Sequence, residues 1–275
     1  MNKIKALVLT GYGLNCDIET AHACTLAGAE ATRVHINALI DGSVRLGDFQ
    51  LMVFIGGFSW GDDHGAGVIQ SVRMKTHLGD EMQRFIRAGN LVLGICNGFQ
   101  VLVNLGLLPA LDGDYQQRRV ALIHNDCGNF RDQWVQLRIN SRSPCVFTRK
   151  MTRIELPVRH GEGKFYAESE VIAGLESGHQ IVMQYAGKDG KPAHGRFPDN
   201  PNGSVRDIAG ICDPTGRVFG LMPHPEADNH PASHPDWSRK RASDRHPGGH
   251  YHEKAAAPDS LSGIRMFQNA VDYFN

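Results

Sequence analysis

An α/β fold built on a mostly parallel central sheet follows from three observations. Short apolar runs alternate with amphipathic ones along the N-terminal third of the chain. Two of the apolar runs, 51–55 and 91–95, carry no polar residue, as strands buried on both faces require. A glycine-bearing turn follows each of them. Strand and helix patterns that alternate in this way close into parallel sheets with right-handed crossovers.

In chain order, residues 4–10 predict a first strand, 17–27 a helix stopped by Gly28, and 31–36 a second strand. The third strand, 51–55, runs into Gly56-Gly-Phe-Ser-Trp-Gly-Asp62. Residues 68–88 read as one long helix, interrupted or kinked near Gly79. The fourth strand is 91–95, and an amphipathic run begins at Phe99. From about residue 120 the pattern changes to short strand-like runs, at 135–139, 153–158, 180–185, 208–213 and 218–222, separated by turns. Residues 227–262 are polar, rich in Pro, Gly and His, and without periodicity, which reads as a solvated surface insertion. An amphipathic helix resumes over 261–274, with Ile264, Phe267 and Val271 at helical spacing. No repeat or linker divides the chain, so 1–275 is expected to form a single domain.

Composition narrows the function. At 41% hydrophobic residues, the chain can bury a sizeable core, and its 29 basic and 29 acidic residues cancel. That balance argues against electrostatic capture of nucleic acid or an anionic membrane. The six cysteines (16, 24, 96, 127, 145 and 212) form no C-x-x-C pair, so neither a zinc site nor a disulfide framework is expected. His-Tyr-His at 250–252 likewise reads as solvated loop rather than a metal site. With no secretory h-region and no apolar stretch of about 20 residues, a soluble cytoplasmic protein is expected.

The chemistry concentrates at Gly94-Ile-Cys-Asn-Gly98. A cysteine on a sharp strand-to-helix turn, with glycine two residues before and after, has the form of a nucleophile elbow. The turn lifts the sulfur out of the sheet, and the helix N-terminus favours negative charge there. The amide of Asn97 points where an oxyanion would form. A thiolate needs a base, and Met222-Pro-His-Pro-Glu226 supplies one. His224 ends an apolar strand between two prolines that restrict its backbone. Glu226, two residues on, shares its face if the segment is extended, and could hold the imidazole in one tautomer.

Cys96, His224 and Glu226 with their flanking residues resemble the class I, triad-type glutamine amidotransferases. Gly56–Asp62, His160-Gly-Glu-Gly163, Asn200-Pro-Asn-Gly-Ser204 and Asn15-Cys-Asp17 narrow the resemblance to the glutaminase subunits of phosphoribosylformylglycinamidine synthase. It spans residues 6–226 and resumes near Met266. The resemblance implies a flavodoxin-like α/β fold with an antiparallel extension. It also implies that the backbone at Gly57 and Phe58 joins Asn97 in the oxyanion hole and that Gln100 contacts glutamine. Asn202, Gly203 and Ser204 would clamp the amino-acid end of that substrate. Cys16 is read as structural, and His160 and Glu162 as pocket wall. The implied activity is hydrolysis of L-glutamine, with ammonia passed to a separate synthetase subunit and a small accessory subunit completing the assembly. ATP and Mg would be used by that synthetase, with no cofactor in this chain. Where the family commonly carries arginine after His-Pro-Glu, this chain has Ala227. Two other readings stay open: the glutaminase half of a different synthetase, and a non-catalytic regulatory module on the same fold.

Overall fold

The computed structural model describes residues 3–239 and 263–275. Its first half follows the expected alternation: β1 (Lys5–Thr10), α1 (Asp17–Leu26), β2 (Glu30–His35), α2 (Ile36–Ile40), β3 (Leu51–Phe54), α3 (Val68–Arg87), β4 (Leu91–Ile95) and α4 (Asn97–Leu105). The second half contributes β5 (Val120–Ile123), β6 (Arg131–Ile139), β7 (Arg153–His160), β8 (Lys164–Ala167), α5 (Ser169–Ser177), β9 (Ile181–Ala186), β10 (Ile208–Cys212), β11 (Val218–Leu221) and α6 (Ile264–Asp272).

Nine strands form one sheet in the order β2-β1-β3-β4-β11-β10-β9-β6-β7. The pairings from β2 through β11 are parallel and those from β11 to β7 antiparallel. Every residue of β3, β4 and β11 is buried, which explains their uninterrupted apolar runs. One pairing decides where the chemistry falls. Leu221 of β11 lies opposite Ile95 of β4. The turns carrying Cys96 and His224 therefore leave adjacent strand ends on one edge, despite their separation in sequence.

Four details depart from expectation. First, α3 runs through Gly79 without interruption. A side chain added at Gly79 would meet nothing within 4 Å, so the glycine lies on the open side. Its cost of about 1 kcal/mol is outweighed by burial of Met74, Leu78, Met82, Phe85 and Ile86, each worth about 1.5–3 kcal/mol. Second, β2 stops at His35 because Ile36 opens α2, whose first turn is capped when Asn37 N donates to His35 Nδ1 at 3.2 Å. Third, β5 and β8 make a separate two-stranded sheet, and α5 follows it; neither was anticipated. Fourth, the insertion is not wholly solvated. His234 is buried, its Nε2 2.9 Å from Glu155 Oε2 and its ring 4.4 Å from that of Trp134. Residues 240–262 of the insertion, including His250 and His252, lie outside the described residues. Helix α6 packs on α1 and on the turn at Val146–Thr148, with Asn269 Nδ2 donating to the carbonyls of Phe147 and Arg149.

Candidate active site

Cys96 sits at φ 51°, ψ −107°, between β4 and α4. A non-glycine residue held there stores strain on the order of 1–3 kcal/mol, which the surroundings must over-determine. Cys96 N donates to Leu221 O at 2.8 Å and Gln100 N to Cys96 O at 3.1 Å, clamping the turn to β11 and to the new helix. The glycines on either side are steric requirements. A Cβ at Gly98 would strike the Phe54 backbone, and one at Gly94 would come within 2.8 Å of Gly98 O.

His224 and Glu226 are buried, 2% and 0% exposed, with Nδ1 2.6 Å from Oε1. The His224 amide donates to Pro157 O at 2.8 Å, which fixes the loop against β7. Burial alone would drive the imidazole toward neutrality. The Glu226 carboxylate and the Cys96 and Cys16 sulfurs outweigh it, so its pKa lies well above 6.5. With Nδ1 committed to Glu226, Nε2 is the atom left for Cys96. It is buried and has no partner at full hydrogen-bond geometry.

Cys16, expected from the sequence to be structural, lies beside His224 and Glu226. It follows β1 on the same sheet edge and lies against the dyad. A methyl at Gly56 would sit 2.7 Å from His224 Cε1 and 3.1 Å from Cys16 Sγ. Gly56 thus leaves room for both side chains. Gly56→Ala is expected to push the imidazole off Cys96 and lower kcat for glutamine hydrolysis by about 100-fold, with intact folding by circular dichroism. Near-normal turnover would mean that the imidazole position is not critical.

A chain of hydrogen bonds ties the glycine-rich loop to α4 and to the segment after β7. Asn97 Nδ2 donates to Asp62 Oδ1 at 3.1 Å and to Gln100 Oε1 at 3.0 Å. Gln100 Nε2 donates to Glu162 O at 2.6 Å, and Ala66 N approaches Glu162 Oε2 at 3.4 Å. Partial burial and the nearby Glu162 carboxylate push the Asp62 pKa up to about 6. Sequence reasoning missed the side chains of Asp62 and Asn97. The signal for Asp62 was its place in a loop after a fully buried strand.

Two expected roles are narrowed. Phe58 N donates to Gly13 O at 2.9 Å, so that amide is taken, and Gly57 is left as the loop's candidate oxyanion donor. The amides of Gly203 and Ser204 also turn inward, to Asn200 Oδ1 at 2.9 and 3.2 Å. Asn202 is buried, its Nδ2 donating to Gly163 O at 2.8 Å and Tyr185 OH at 3.2 Å. Its Oδ1 accepts from Ser204 Oγ at 2.7 Å. In this conformation residues 200–204 bond to one another and to Gly163 and Tyr185 instead of presenting free amides.

His160 is buried beside this segment, its Nε2 3.5 Å from Asn202 Nδ2. Its Nδ1 is 3.1 Å from Asn125 Oδ1, and burial, with His224 nearby, lowers its pKa to about 3. It folds neutral, while the unfolded chain gains a proton below about 6.5. Stability should therefore fall as pH drops from 6.5 toward 3, by up to about 1.4 kcal/mol per pH unit. His160→Gln should flatten that decline in thermal melts between these limits. An unchanged slope would assign the dependence to other groups.

A parallel sheet presenting a strained cysteine beside a buried His-Glu dyad at its carboxyl edge defines the triad-type thiol amidotransferase class. Comparison with known proteins agrees. The CobB/CobQ-like glutamine amidotransferase domain matches residues 3–274. A phosphoribosylformylglycinamidine synthase subunit PurQ from Methanococcus maripaludis is 44% identical over 98% of this chain and 97% of its own. That of Dehalococcoides mccartyi is 45% identical over 99% and 98%. The solved structure of PurLQS from Thermotoga maritima superposes with a TM-score of 0.70, at 27% identity over the whole of both chains. The chain belongs to the glutamine amidotransferase family, in its branch of phosphoribosylformylglycinamidine synthase PurQ subunits.

Proposed function

We propose that this chain hydrolyses glutamine to glutamate and ammonia. The ammonia goes to a separate ATP-dependent synthetase subunit that converts formylglycinamide ribonucleotide to formylglycinamidine ribonucleotide, in purine synthesis. The observation that carries the reading is Cys96 on its strained elbow, one strand away from the buried 2.6 Å His224–Glu226 pair. The relatives supply the acceptor reaction in their names. The likeness to PurLQS from Thermotoga maritima supports a synthetase partner, and a small accessory subunit is part of the proposal.

The chemistry is acyl transfer. Cys96 attacks the side-chain amide carbon of glutamine as a thiolate, with its proton already on His224. The amides of Gly57 and Asn97 receive the oxyanion. Protonated His224 returns its proton to the departing ammonia, leaving a glutamyl thioester. It then takes a proton from the water that hydrolyses the thioester, and Glu226 supports its charged form throughout. Gln100 and the 200–204 segment shape the pocket for the amino-acid end. ATP and Mg belong to the partner's half of the reaction.

The reading excludes a regulatory module, because such a module has no use for a strained thiol beside a charge-supported imidazole. Among the described residues no helix is long and apolar enough to cross a membrane. The six cysteines are all unpaired, which fits the reducing cytoplasm.

The test uses a diazo-ketone glutamine analogue, with the adduct mapped by mass spectrometry. A single adduct on Cys96 that excess glutamine suppresses is the expected result. Labelling spread over several cysteines, in the free chain and with the synthetase present, would overturn the reading.

A further inference from the structure

Two buried polar atoms at the dyad have no hydrogen-bond partner: His224 Nε2 and Glu226 Oε2. The first faces the nucleophile. The second has no use in the proposed mechanism, and an unsatisfied carboxylate oxygen on a fully buried residue needs a physical account. Cys16 supplies one. Its Sγ, a ring nitrogen of His224 and a carboxylate oxygen of Glu226 all lie within 4.8 Å of one another, and all three residues are buried. Thiolate, imidazole and carboxylate are each zinc ligands, and three protein ligands leave a fourth position for water. Ligand atoms about 2.0–2.3 Å from a tetrahedral ion lie about 3.3–3.7 Å apart, so an ion would draw Cys16 in by about 1 Å and part the 2.6 Å His224–Glu226 contact.

We propose that Cys16, His224 and Glu226 form a latent site for a soft divalent cation, zinc by preference, whose occupancy withholds the dyad from Cys96. The charges balance. Zn²⁺ would replace the thiol proton of Cys16 and the proton shared by His224 and Glu226, releasing two protons. Thiolate, carboxylate and neutral imidazole around Zn²⁺ carry no net charge, which suits a buried pocket. The cost falls on the dyad, since a carboxylate and imidazole bound to the ion no longer act as base and support. The regulatory consequence rests on the glutaminase reading, but the binding itself does not.

The test therefore measures binding apart from turnover. Metal-free full-length chain is titrated with Co²⁺, whose thiolate charge-transfer band reports sulfur ligation, and then with Zn²⁺ in competition with a chromophoric chelator. The histidines between residues 230 and 252 give no thiolate band, so they do not interfere with the first reading. One equivalent should develop the band in the wild type and in Cys96→Ala. Cys16→Ala and the near-isosteric Cys16→Ser should lose it, with zinc affinity reduced at least about 100-fold. Labelling of Cys96 by the glutamine analogue shows that the Cys16 variants keep a folded pocket. Zn²⁺ should also protect wild-type Cys96 from the analogue, reversibly with EDTA. No stoichiometric band, a band retained in both Cys16 variants, or one lost in Cys96→Ala would each overturn the proposal. If the band appears as expected while glutamine hydrolysis fails altogether, the metal site stands and the glutaminase reading falls.

Discussion

Cys96→Ala is expected to abolish glutamine-dependent amidine formation by the assembled complex, by roughly 10⁴-fold or more, and to spare ammonia-dependent synthesis. The size of the first effect follows from the chemistry, since no other described thiol is on the elbow. Alanine keeps Cβ, and so the same strained backbone at φ 51° without new steric demand. Cys96 is 95% buried, with its thiol directed at Arg159 O at 3.5 Å, so little beyond one weak contact is lost with the sulfur. The fold and the synthetase-facing surface should survive. The second effect tests the division of labour between chains. External ammonia bypasses this subunit, and the synthetase should use it at its ordinary rate. Loss of both activities would show that this chain does more than generate ammonia, and loss of neither would remove Cys96 from the mechanism.

The legible part of the fold was the part governed by local pattern. Strands β3 and β4 declare themselves because burial on both faces removes every polar residue. The elbow declares itself because Gly94 and Gly98 have no steric alternative. The short β5–β8 sheet was missed because its strands are four residues each, with outward-facing positions that blur the apolar signal. The candidate site was legible where adjacent residues cooperate, as in His224 and Glu226. It was illegible where contacts join distant segments. Asp62, Asn97, Gln100 and Glu162 form one hydrogen-bonded chain across three segments. Cys16 reaches the dyad only because β1 ends on the same edge as β4 and β11. The Phe58, Gly203 and Ser204 amides looked available because sequence motifs do not reveal which carbonyl or side chain already holds them.

Glu226→Gln is the second large effect. Glutamine preserves size at a fully buried position but removes the charge that raises the His224 pKa. Burial, the largest influence on that imidazole, would then act with less opposition and favour the neutral ring. The expected loss in kcat is about 10²- to 10⁴-fold, as when a triad carboxylate loses its charge, with KM for glutamine little changed because Glu226 does not reach the substrate. The alkaline limb of the rate profile should also move to lower pH, since the imidazolium that protonates departing ammonia is lost sooner. Stability follows the same sign. A histidine whose folded pKa lies above 6.5 contributes fully below that value, and its contribution fades as pH rises through the folded pKa. The stability gap between wild type and Glu226→Gln should therefore be widest near pH 6 and narrow on going alkaline. A variant with unchanged kcat, or a gap that widens with pH, would show that Glu226 orients the ring without supporting its charge. Charge support by Glu226 is what the dyad contributes beyond the placement of Nε2, so the two measurements together separate orientation from electrostatics at this site.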